Sequence, residues 1–144
     1  MIEYKSMTEK HIPGMVETEK ECFDSGFAKI TFQRELENKI AHYVVALDGE
    51  KAVGYAGLWN ICGEADIMSV AVRRAYRHCG IAEKMLSELT KWCKENDVYV
   101  MQLEVREGNV PALCLYEKMG FEVDGVRPGY YGGTEDAILM SKMV

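Results

Sequence analysis

The sequence lacks the long apolar runs of membrane proteins and the signals of exported ones. No apolar stretch approaches the roughly 20 residues that a helix needs to span a bilayer. The first residues, MIEYKSMTEKH, contain no apolar core of the kind found in signal peptides. We therefore expect a cytoplasmic protein that does not act at a membrane.

The numbers and positions of cysteine, histidine and positive charge argue against disulfide bonds, a zinc site, and binding to nucleic acid or an anionic membrane. The five cysteines are an odd number and no two of them have Cys-x-x-Cys spacing, so reduced thiols are the simplest interpretation. The three histidines lie far apart, and no zinc pattern is recognisable, so we expect no metal. A formal net charge of −6 argues against direct binding to nucleic acid or to an anionic membrane.

The composition is that of an ordinary globular protein. Hydrophobic residues make up 48% and charged residues 28% of the 144 positions. This is enough apolar material for one packed core and too little bias for disorder. We expect a single domain that covers residues 1–144, without internal repeats.

The order of the sequence patterns predicts an α+β protein with a mixed sheet. Apolar arms at Tyr43 to Leu47 and Ala52 to Ile61 flank Asp48-Gly49, a pair typical of hairpin turns. The predicted order of elements along the chain is β-α-α-β-β-β-α-β-α-β-β.

Helix and loop boundaries follow from local signals. The second helix is predicted from near Thr31 to Ile40, and its expected buried line is Phe32, Leu36 and Ile40. Late in the chain Asn109 is expected to cap a helix, and Gly120 is expected to end it. The segment PGYYGG (128–133) is predicted to be a loop before the last strand.

The stretch Ala65 to Leu86 predicts a strand, a basic glycine turn and a helix. Its strand, Ile67 to Val72, is almost wholly apolar, as expected of a strand covered on both faces. The cationic or potentially cationic side chains that follow are Arg73, Arg74, Arg77 and His78. Gly80 then opens a helix whose first N–H groups lack intrahelical partners and form an anion site. We predict that this turn holds the pyrophosphate of a nucleotide-like cofactor.

Residues 77–82, Arg-His-Cys-Gly-Ile-Ala, match the pattern Gln/Arg-x-x-Gly-x-Gly/Ala at this strand-to-helix junction. The segment thereby resembles the acetyl-CoA-binding motif of the GNAT superfamily of N-acetyltransferases. Stretches that agree in order and spacing are GYAGLW (54–59), LEVREGN (103–109), LYEKMGF (115–121), GYY (129–131) and EDAILM (135–140). Together they resemble the RimI-type branch, whose members acetylate the N-terminal alanine of protein eighteen of the small ribosomal subunit. The resemblance implies a GNAT-like acyl-CoA N-acyltransferase fold, with a mixed central sheet flanked by helices.

The resemblance also implies roles for matching residues. Backbone groups of Val70, Ala71 and Val72 would pair with the pantetheine arm of acetyl-CoA like an added strand. The turn that would hold the pyrophosphate comprises Arg77, His78, Cys79, Gly80, Ile81, Ala82 and Glu83. Asn109 would contact the cofactor. Glu104 would be the general base, and Tyr116 the general acid.

The chemistry of amide formation is compatible with these two roles. An α-amino group has a pKa of about 7.7 to 8.0, so much of it must lose a proton before attack at neutral pH. Glu104 follows an apolar strand and can accept that proton, although the residues alone favour a strand-end surface glutamate. Tyr116 can donate a proton to the leaving thiolate, or it can be a packed aromatic residue.

Weaker candidate residues, and positions where this chain differs from its relatives, bear on the acceptor. Glu64 either holds a water or the substrate amine, or is a turn residue, and Tyr130 and Tyr131 either form a wall of a peptide slot or anchor their loop. Relatives commonly carry Pro-Trp-Ser where this chain has Gly26-Phe27-Ala28, and asparagine where it has Gly129. These departures leave the expected acetyl-CoA site intact and bear on the acceptor.

We therefore expect direct acetyl transfer from acetyl-CoA to a protein N-terminus, that of the ribosomal protein. One alternative is a GNAT enzyme acting on a small amine, such as a polyamine, an amino acid or an aminoglycoside. Another is a CoA-binding module without catalysis, against which the joint presence of Glu104, Asn109 and Tyr116 speaks.

Overall fold

The elements observed in the structure follow the predicted order. The computed structural model describes residues 1–23, 29–133 and 135–144. The strands within this part are β1 (Ile2–Ser6), β2 (Ala41–Asp48), β3 (Lys51–Ile61), β4 (Glu64–Val72), β5 (Val100–Arg106), β6 (Glu122–Tyr131) and β7 (Glu135–Met143). The helices are α1 (Ile12–Phe23), α2 (Lys29–Glu37), α3 (Ile81–Glu95) and α4 (Val110–Lys118), with short 3-10 turns at Glu9–His11 and Arg74–Tyr76.

The seven strands described form one mixed sheet in the order β1-β2-β3-β4-β5-β7-β6, which confirms the predicted fold class. Neighbouring strands are antiparallel except β4 and β5, which run parallel and are connected through α3. A parallel pair needs such a crossover because its strands start at the same end of the sheet. The hairpin predicted at Asp48-Gly49 joins β2 to β3, and Gly49 has the left-handed φ of 64° that the turn requires.

Apolar side chains cover both faces of the sheet. On one face α3 contributes Met85, Leu86 and Leu89 to a core that also contains Val44 and Ala46 of β2. On the other face α1 and α2 contribute residues such as Met15 and Phe32, which pack against the alternate residues of β2, Val45 and Leu47. This division follows from the two-residue period of a strand.

The strand β4 pairs with β5 over only part of its length, and this positions the site. Within the described chain the parallel pairing covers Glu64–Asp66 against Val100–Gln102. The register between β4 and β3 then skips one residue at Met68, a bulge of the kind that bends a strand. The second half of β4 therefore diverges from β5, with α1 packed on one face and α3 on the other.

This divergence corrects one prediction. The apolar strand Ile67 to Val72 was expected to be covered on both faces, but Met68 is 45% exposed and only Ala71 of this segment is fully buried. The apolar composition reflects a strand that borders a cleft, because no strand of the described chain pairs with its outer edge beyond Asp66.

Two other expectations were wrong. The predicted buried line of the second helix holds only for Phe32, since Leu36 is 38% and Ile40 40% exposed and α2 already ends at Glu37. A polar contact anchors the helix instead, because the Glu35 carboxylate accepts hydrogen bonds from Tyr43 Oη at 2.8 Å and Trp59 Nε1 at 2.7 Å.

The segment PGYYGG is not wholly a loop. The strand β6 continues through residues 128–131, and the turn begins only at Gly132. The pairing of β6 with β7 skips the residues between Arg127 and Tyr131, so the hydrogen-bond ladder is irregular there. A strand with such an irregularity does not show the regular alternation of apolar and polar side chains by which strands are predicted from sequence.

Candidate active site

The free edge of β4 presents backbone groups to the cleft at every second residue. Arg73 N–H donates to Val53 O at 2.8 Å, and β3 pairs Tyr55 with Ala71. In an antiparallel ladder this register turns the N–H and C=O of Ala71 toward β3 and those of Val70 and Val72 outward. Of the three residues expected to pair with a pantetheine arm, Val70 and Val72 thus offer their backbone polar groups to the cleft.

The turn that precedes α3 forms the other end of this cleft. Gly80 is the N-cap of α3 and has φ of 80°, and a Cβ atom built on it would meet no atom within 4 Å. Lys84 N–H makes the first intrahelical bond, to Gly80 O, so helix geometry leaves the N–H groups of Ile81, Ala82 and Glu83 without an intrahelical acceptor. Together with the helix dipole, these groups favour an anion in open space.

A cavity of about 510 Å³ connects the strand edge to the helix start. It is lined by Cys22, Phe23, Val70, Ala71, Val72, Tyr76, Arg77, His78, Gly80, Ile81, Ala82, Glu83, Asn109, Pro111, Ala112, Leu115 and Tyr116. We call it the donor cavity. It brings together the sequence-predicted cofactor residues except Cys79, which is exposed outside this lining.

The basic residues of the turn have separate tasks. The guanidinium of Arg73 lies 3.6 Å from the Glu21 carboxylate and 3.7 Å from the Glu17 carboxylate, so its charge is paired with acidic side chains of the protein itself. A hydrogen bond from Arg74 N–H lowers the pKa of Glu21. Arg77 donates through Nε to the outward carbonyl of Val72 at 3.0 Å. Only two of the four cations expected at the anion site, Arg77 and His78, line the donor cavity.

The helix α4 closes the donor cavity on its far side. Asn109 caps this helix as predicted, with Oδ1 accepting from Ala112 N–H at 3.3 Å, and Gly120 follows its end with φ of 94°. Tyr116 projects from the same helix and is buried against Phe121, with ring centres 5.7 Å apart. Burial raises the pKa of Tyr116 to about 12, so its hydroxyl keeps its proton throughout the neutral range.

A second cavity of about 660 Å³ lies where β4, β5, β6 and β7 meet. It is lined by Asp66, Ile67, Met68, Gln102, Leu103, Glu104, Asp124, Arg127, Tyr130, Leu139 and Met140, and we call it the acceptor cavity. Glu104 lies on the sheet face opposite α4, because its neighbours Leu103 and Val105 belong to the core under α3 and α4. Its carboxylate lies 3.3 Å from the guanidinium of Arg127.

Three predicted acceptor residues have different positions. Tyr130 lines the acceptor cavity, whereas Glu64 lies at the start of β4 beside Tyr99 and lines neither cavity. Tyr131 ends β6, and its side chain lies outside the described part of the structure. The departures at Gly26-Phe27-Ala28 also lie outside the described residues.

Several lining residues gave no signal in the sequence. Cys22 and Phe23 come from the end of α1, and Asp124 and Arg127 come from β6. Their spacing fits no catalytic motif, and they reach the cavities through the packing of α1 on the sheet and through the place of β6 beside β7.

The described residues show neither a metal site nor a membrane-spanning helix. Their histidine, cysteine and acidic side chains form no group of three that could hold a metal ion. None of the helices described is long and apolar enough to cross a bilayer.

The two cavities together can support transfer between two substrates. The donor cavity and the acceptor cavity both border β4 near the point where it diverges from β5. An extended donor can pair with the β4 edge and place its anionic part at α3, while a nucleophile approaches from the side of Glu104. Glu104 and Tyr116 lie on opposite faces of the sheet, and each lines one of the two cavities.

Comparison with known proteins gives consistent results. The profile described as "Acetyltransferase (GNAT) family" matches residues 12–121. A Bacillus subtilis protein, provisionally named a ribosomal protein bS18-alanine N-acetyltransferase, is 36% identical over 138 residues, which cover 94% of this chain and 91% of that protein. An N-alpha-acetyltransferase of Saccharolobus solfataricus is 42% identical over 113 residues, covering 69% and 68%. The crystal structure of the ribosomal-protein-S18-alanine N-acetyltransferase from Escherichia coli superimposes with a TM-score of 0.91 at 25% identity, covering 100% of this chain and 94% of that one.

Proposed function

The chain belongs to the acetyltransferase (GNAT) family, and from this premise we propose that it transfers the acetyl group of acetyl-CoA to the N-terminal alanine of ribosomal protein bS18. The observation that carries the choice of acceptor is the similarity to the Bacillus subtilis protein over nearly the whole of both chains. A ribosomal acceptor places the reaction in the cytoplasm. The reaction is that of an acetyl-CoA-dependent N-acetyltransferase.

We propose that the donor cavity holds acetyl-CoA. The outward N–H and C=O of Val70 and the outward N–H of Val72 fit an amide-bearing arm that pairs like an extra strand, whereas the Val72 carbonyl already accepts from Arg77 Nε and Cys22 Sγ. The open space at Gly80 and the N–H groups of the first turn of α3 fit a diphosphate. Asn109 lines the same cavity and is placed to contact the arm between these two ends.

We assign Glu104 as the general base. The α-amine of the acceptor enters the acceptor cavity and loses a proton to the Glu104 carboxylate, directly or through a water molecule. The neutral nitrogen then attacks the thioester carbonyl, and a carbon–nitrogen bond forms. The acidic lining of this cavity, with Asp66 and Asp124 beside Glu104, suits an acceptor that arrives as a cation.

We assign Tyr116 as the general acid. As the carbon–sulfur bond breaks, the electron pair goes to sulfur and the phenol supplies the proton that completes the free thiol. The second proton lost by the attacking nitrogen returns the phenolate to its neutral form. A thiol has a pKa of about 8.5 in water, and the desolvation that raises the pKa of Tyr116 acts on a buried thiolate in the same direction. The transfer is direct, since the proposed acid and base positions carry no cysteine.

A second candidate is an N-terminal acetyltransferase of wider peptide specificity. The similarity to the Saccharolobus protein, whose name specifies N-alpha acetylation but no single acceptor, favours it. Both candidates share the donor cavity and the proposed chemistry, and they differ in how much of the acceptor peptide is recognised.

Acetyl-CoA turnover against peptides separates these functions. The panel contains the N-terminal hexapeptide of bS18 and variants of it that begin with serine or methionine, with a diamine as a small-molecule acceptor. The proposed function predicts the highest kcat/KM for the alanine peptide. Similar values for all three peptides indicate the wider specificity, and activity with the diamine alone refutes acetylation of protein N-termini.

The variant Glu104→Gln tests the assigned base. Turnover should fall about 10²- to 10⁴-fold, which is the usual contribution of a general base. The loss should be greatest below pH 7, where more of the acceptor amine is protonated. Glu122→Gln is the matched control, because Glu122 is exposed on the edge strand β6 and lines neither cavity. Wild-type turnover in Glu104→Gln at pH 6 would exclude the assignment.

A further inference from the structure

The acceptor cavity contains one basic side chain among its described lining residues, Arg127. Its Nη1 atom lies 3.3 Å from Glu104 Oε1, and its guanidinium carbon lies 5.5 Å from the centre of the Tyr130 ring. The other charged groups that line this cavity are the carboxylates of Asp66 on β4 and Asp124 on β6. Arg127 therefore pairs with the carboxylate that the proposed reaction needs for the acceptor.

We propose that Arg127 is a positioning residue that competes with the acceptor's ammonium group for Glu104 and is displaced when the acceptor binds. This inference rests on the proposed role of Glu104 as the base. In the absence of the acceptor, the guanidinium holds the carboxylate at the cavity. When the acceptor enters, its cationic N-terminus takes over the same oxygen atoms.

Charge and exposure support an exchange of this kind. Two cations that approach one carboxylate repel each other, so the guanidinium and an ammonium group exclude one another at short range. The side chains of Arg127 and Glu104 are 54% and 32% exposed, and ion pairs this exposed are weak enough to break readily. The ring of Tyr130 offers the guanidinium a second contact, which keeps Arg127 beside the cavity after displacement.

The exchange selects among acceptors. Every protonated amine must displace Arg127, and this costs about two- to fivefold in affinity, the range measured for exposed ion pairs. A peptide can recover the cost through contacts along the cavity wall, which includes Tyr130 and Leu139. A small amine that reaches only Glu104 cannot recover it. Arg127 thus favours peptide N-termini over small cationic amines.

The test is the KM for the alanine peptide in Arg127→Gln, measured at pH 7 and at pH 9. Removing the competing charge should lower KM about two- to fivefold at pH 7. The decrease should largely disappear at pH 9, because an α-amine with a pKa of about 7.7 to 8.0 then binds uncharged. Arg127→Lys keeps the positive charge that competes for Glu104, although not the guanidinium over Tyr130, and should therefore keep the wild-type KM to within about twofold.

Controls separate this effect from general changes in charge or folding. Lys5→Gln removes a cation of similar exposure, 53%, that pairs with Glu3 on the opposite edge of the sheet, and its KM should match the wild type. Arg127→Met gives a second uncharged variant and should behave like Arg127→Gln. Calorimetric binding of acetyl-CoA to each variant confirms that the donor cavity is folded.

The outcomes distinguish this inference from the proposed function. An unchanged or higher KM in Arg127→Gln, or a decrease of equal size at both pH values, overturns the role of Arg127. If Glu104→Gln is inactive at the same time, the proposed base survives and only the competition is refuted. Full activity of Glu104→Gln removes the base and the competition together.

Discussion

Asn109 combines a structural and a proposed functional role, and substitutions can separate the two. Its side chain caps α4 by accepting from Ala112 N–H at 3.3 Å, and the same residue lines the donor cavity. The helix that it caps carries Leu115 and Tyr116, which line the cavity as well. Asn109→Ala removes the cap and any contact with the donor. Asn109→Asp keeps a capping oxygen but introduces a negative charge into the cavity.

The structure sets the expected magnitudes. Loss of an N-cap costs about 0.5 to 2 kcal/mol, and the long hydrogen bond at Asn109 places Asn109→Ala in the lower half, about 0.5 to 1 kcal/mol. For a chain of this size that lowers Tm by about 1 to 4 °C. Aspartate caps as well as asparagine, so Asn109→Asp should retain the wild-type Tm. Aspartate lacks the Nδ2 donor of asparagine and adds a negative charge to a cavity proposed to hold a diphosphate, so the affinity of this variant for acetyl-CoA should fall about two- to tenfold, the usual worth of one hydrogen bond.

Thermal unfolding by circular dichroism measures the cap, and calorimetry measures the affinity for acetyl-CoA. Asn60→Ala is the matched control, because Asn60 Oδ1 accepts from Gly63 N–H at 3.0 Å in a turn that lines neither cavity. This control should lose stability and bind acetyl-CoA normally. If Asn109→Asp loses as much stability as Asn109→Ala, the capping role is wrong. If Asn109→Asp binds acetyl-CoA as the wild type does, Asn109 does not lie near the phosphates or the arm.

Two further predictions concern a phenol and an imidazole. Tyr116→Phe should lower kcat about 10²- to 10⁴-fold, and by the same factor at every pH from 6 to 9, because the phenol does not ionise in this range. Calorimetry should show unchanged binding of acetyl-CoA. A loss of activity confined to high pH would contradict the acid role. Burial and, to a smaller extent, the charges of Lys10 and Lys5 lower the pKa of His11 below its usual 6.5. The unfolded chain therefore binds more protons than the folded chain, and the free energy of unfolding should fall as pH drops through 6.5 toward the folded-state pKa. In the wild type, His11 Nδ1 accepts a hydrogen bond from Thr8 N–H at 3.0 Å, and His11→Gln keeps a side-chain acceptor there. This variant should flatten the pH dependence of urea unfolding between pH 5.5 and 7.5. An unchanged slope would assign the dependence to His42, whose pKa burial also lowers.

Sequence patterns predicted the elements whose signals are local. The hairpin at Asp48-Gly49, the helix start at Gly80 and the cap at Asn109 depend on the backbone preferences of a few residues, and all three are present. The donor cavity is built from elements of this kind. This explains why most residues predicted for the cofactor line one cavity.

Features that depend on distant contacts were not predictable in the same way. The exposure of Leu36 follows from the polar anchor at Glu35, which is formed with side chains of β2 and β3. The pairing of Arg127 with Glu104 depends on the register of β6 with β7 and of β7 with β5. Neither register is encoded within a short window of sequence. The acceptor side of the site is therefore the part that the sequence left open.

In the proposed mode of binding, the edge of β4 that lies along the donor cavity links the stability of the protein to the concentration of acetyl-CoA. The outward groups of Val70 and Val72 belong to a sheet that a bound arm would complete. A ligand that binds only the folded chain adds RT ln(1 + [L]/Kd) to its stability, about 2.7 kcal/mol at a hundred times Kd. This is a sizeable fraction of the 5 to 15 kcal/mol typical of a domain. Depletion of acetyl-CoA would therefore raise the unfolded fraction of the chain, because ligand binding to the folded state alone sets this contribution to its stability.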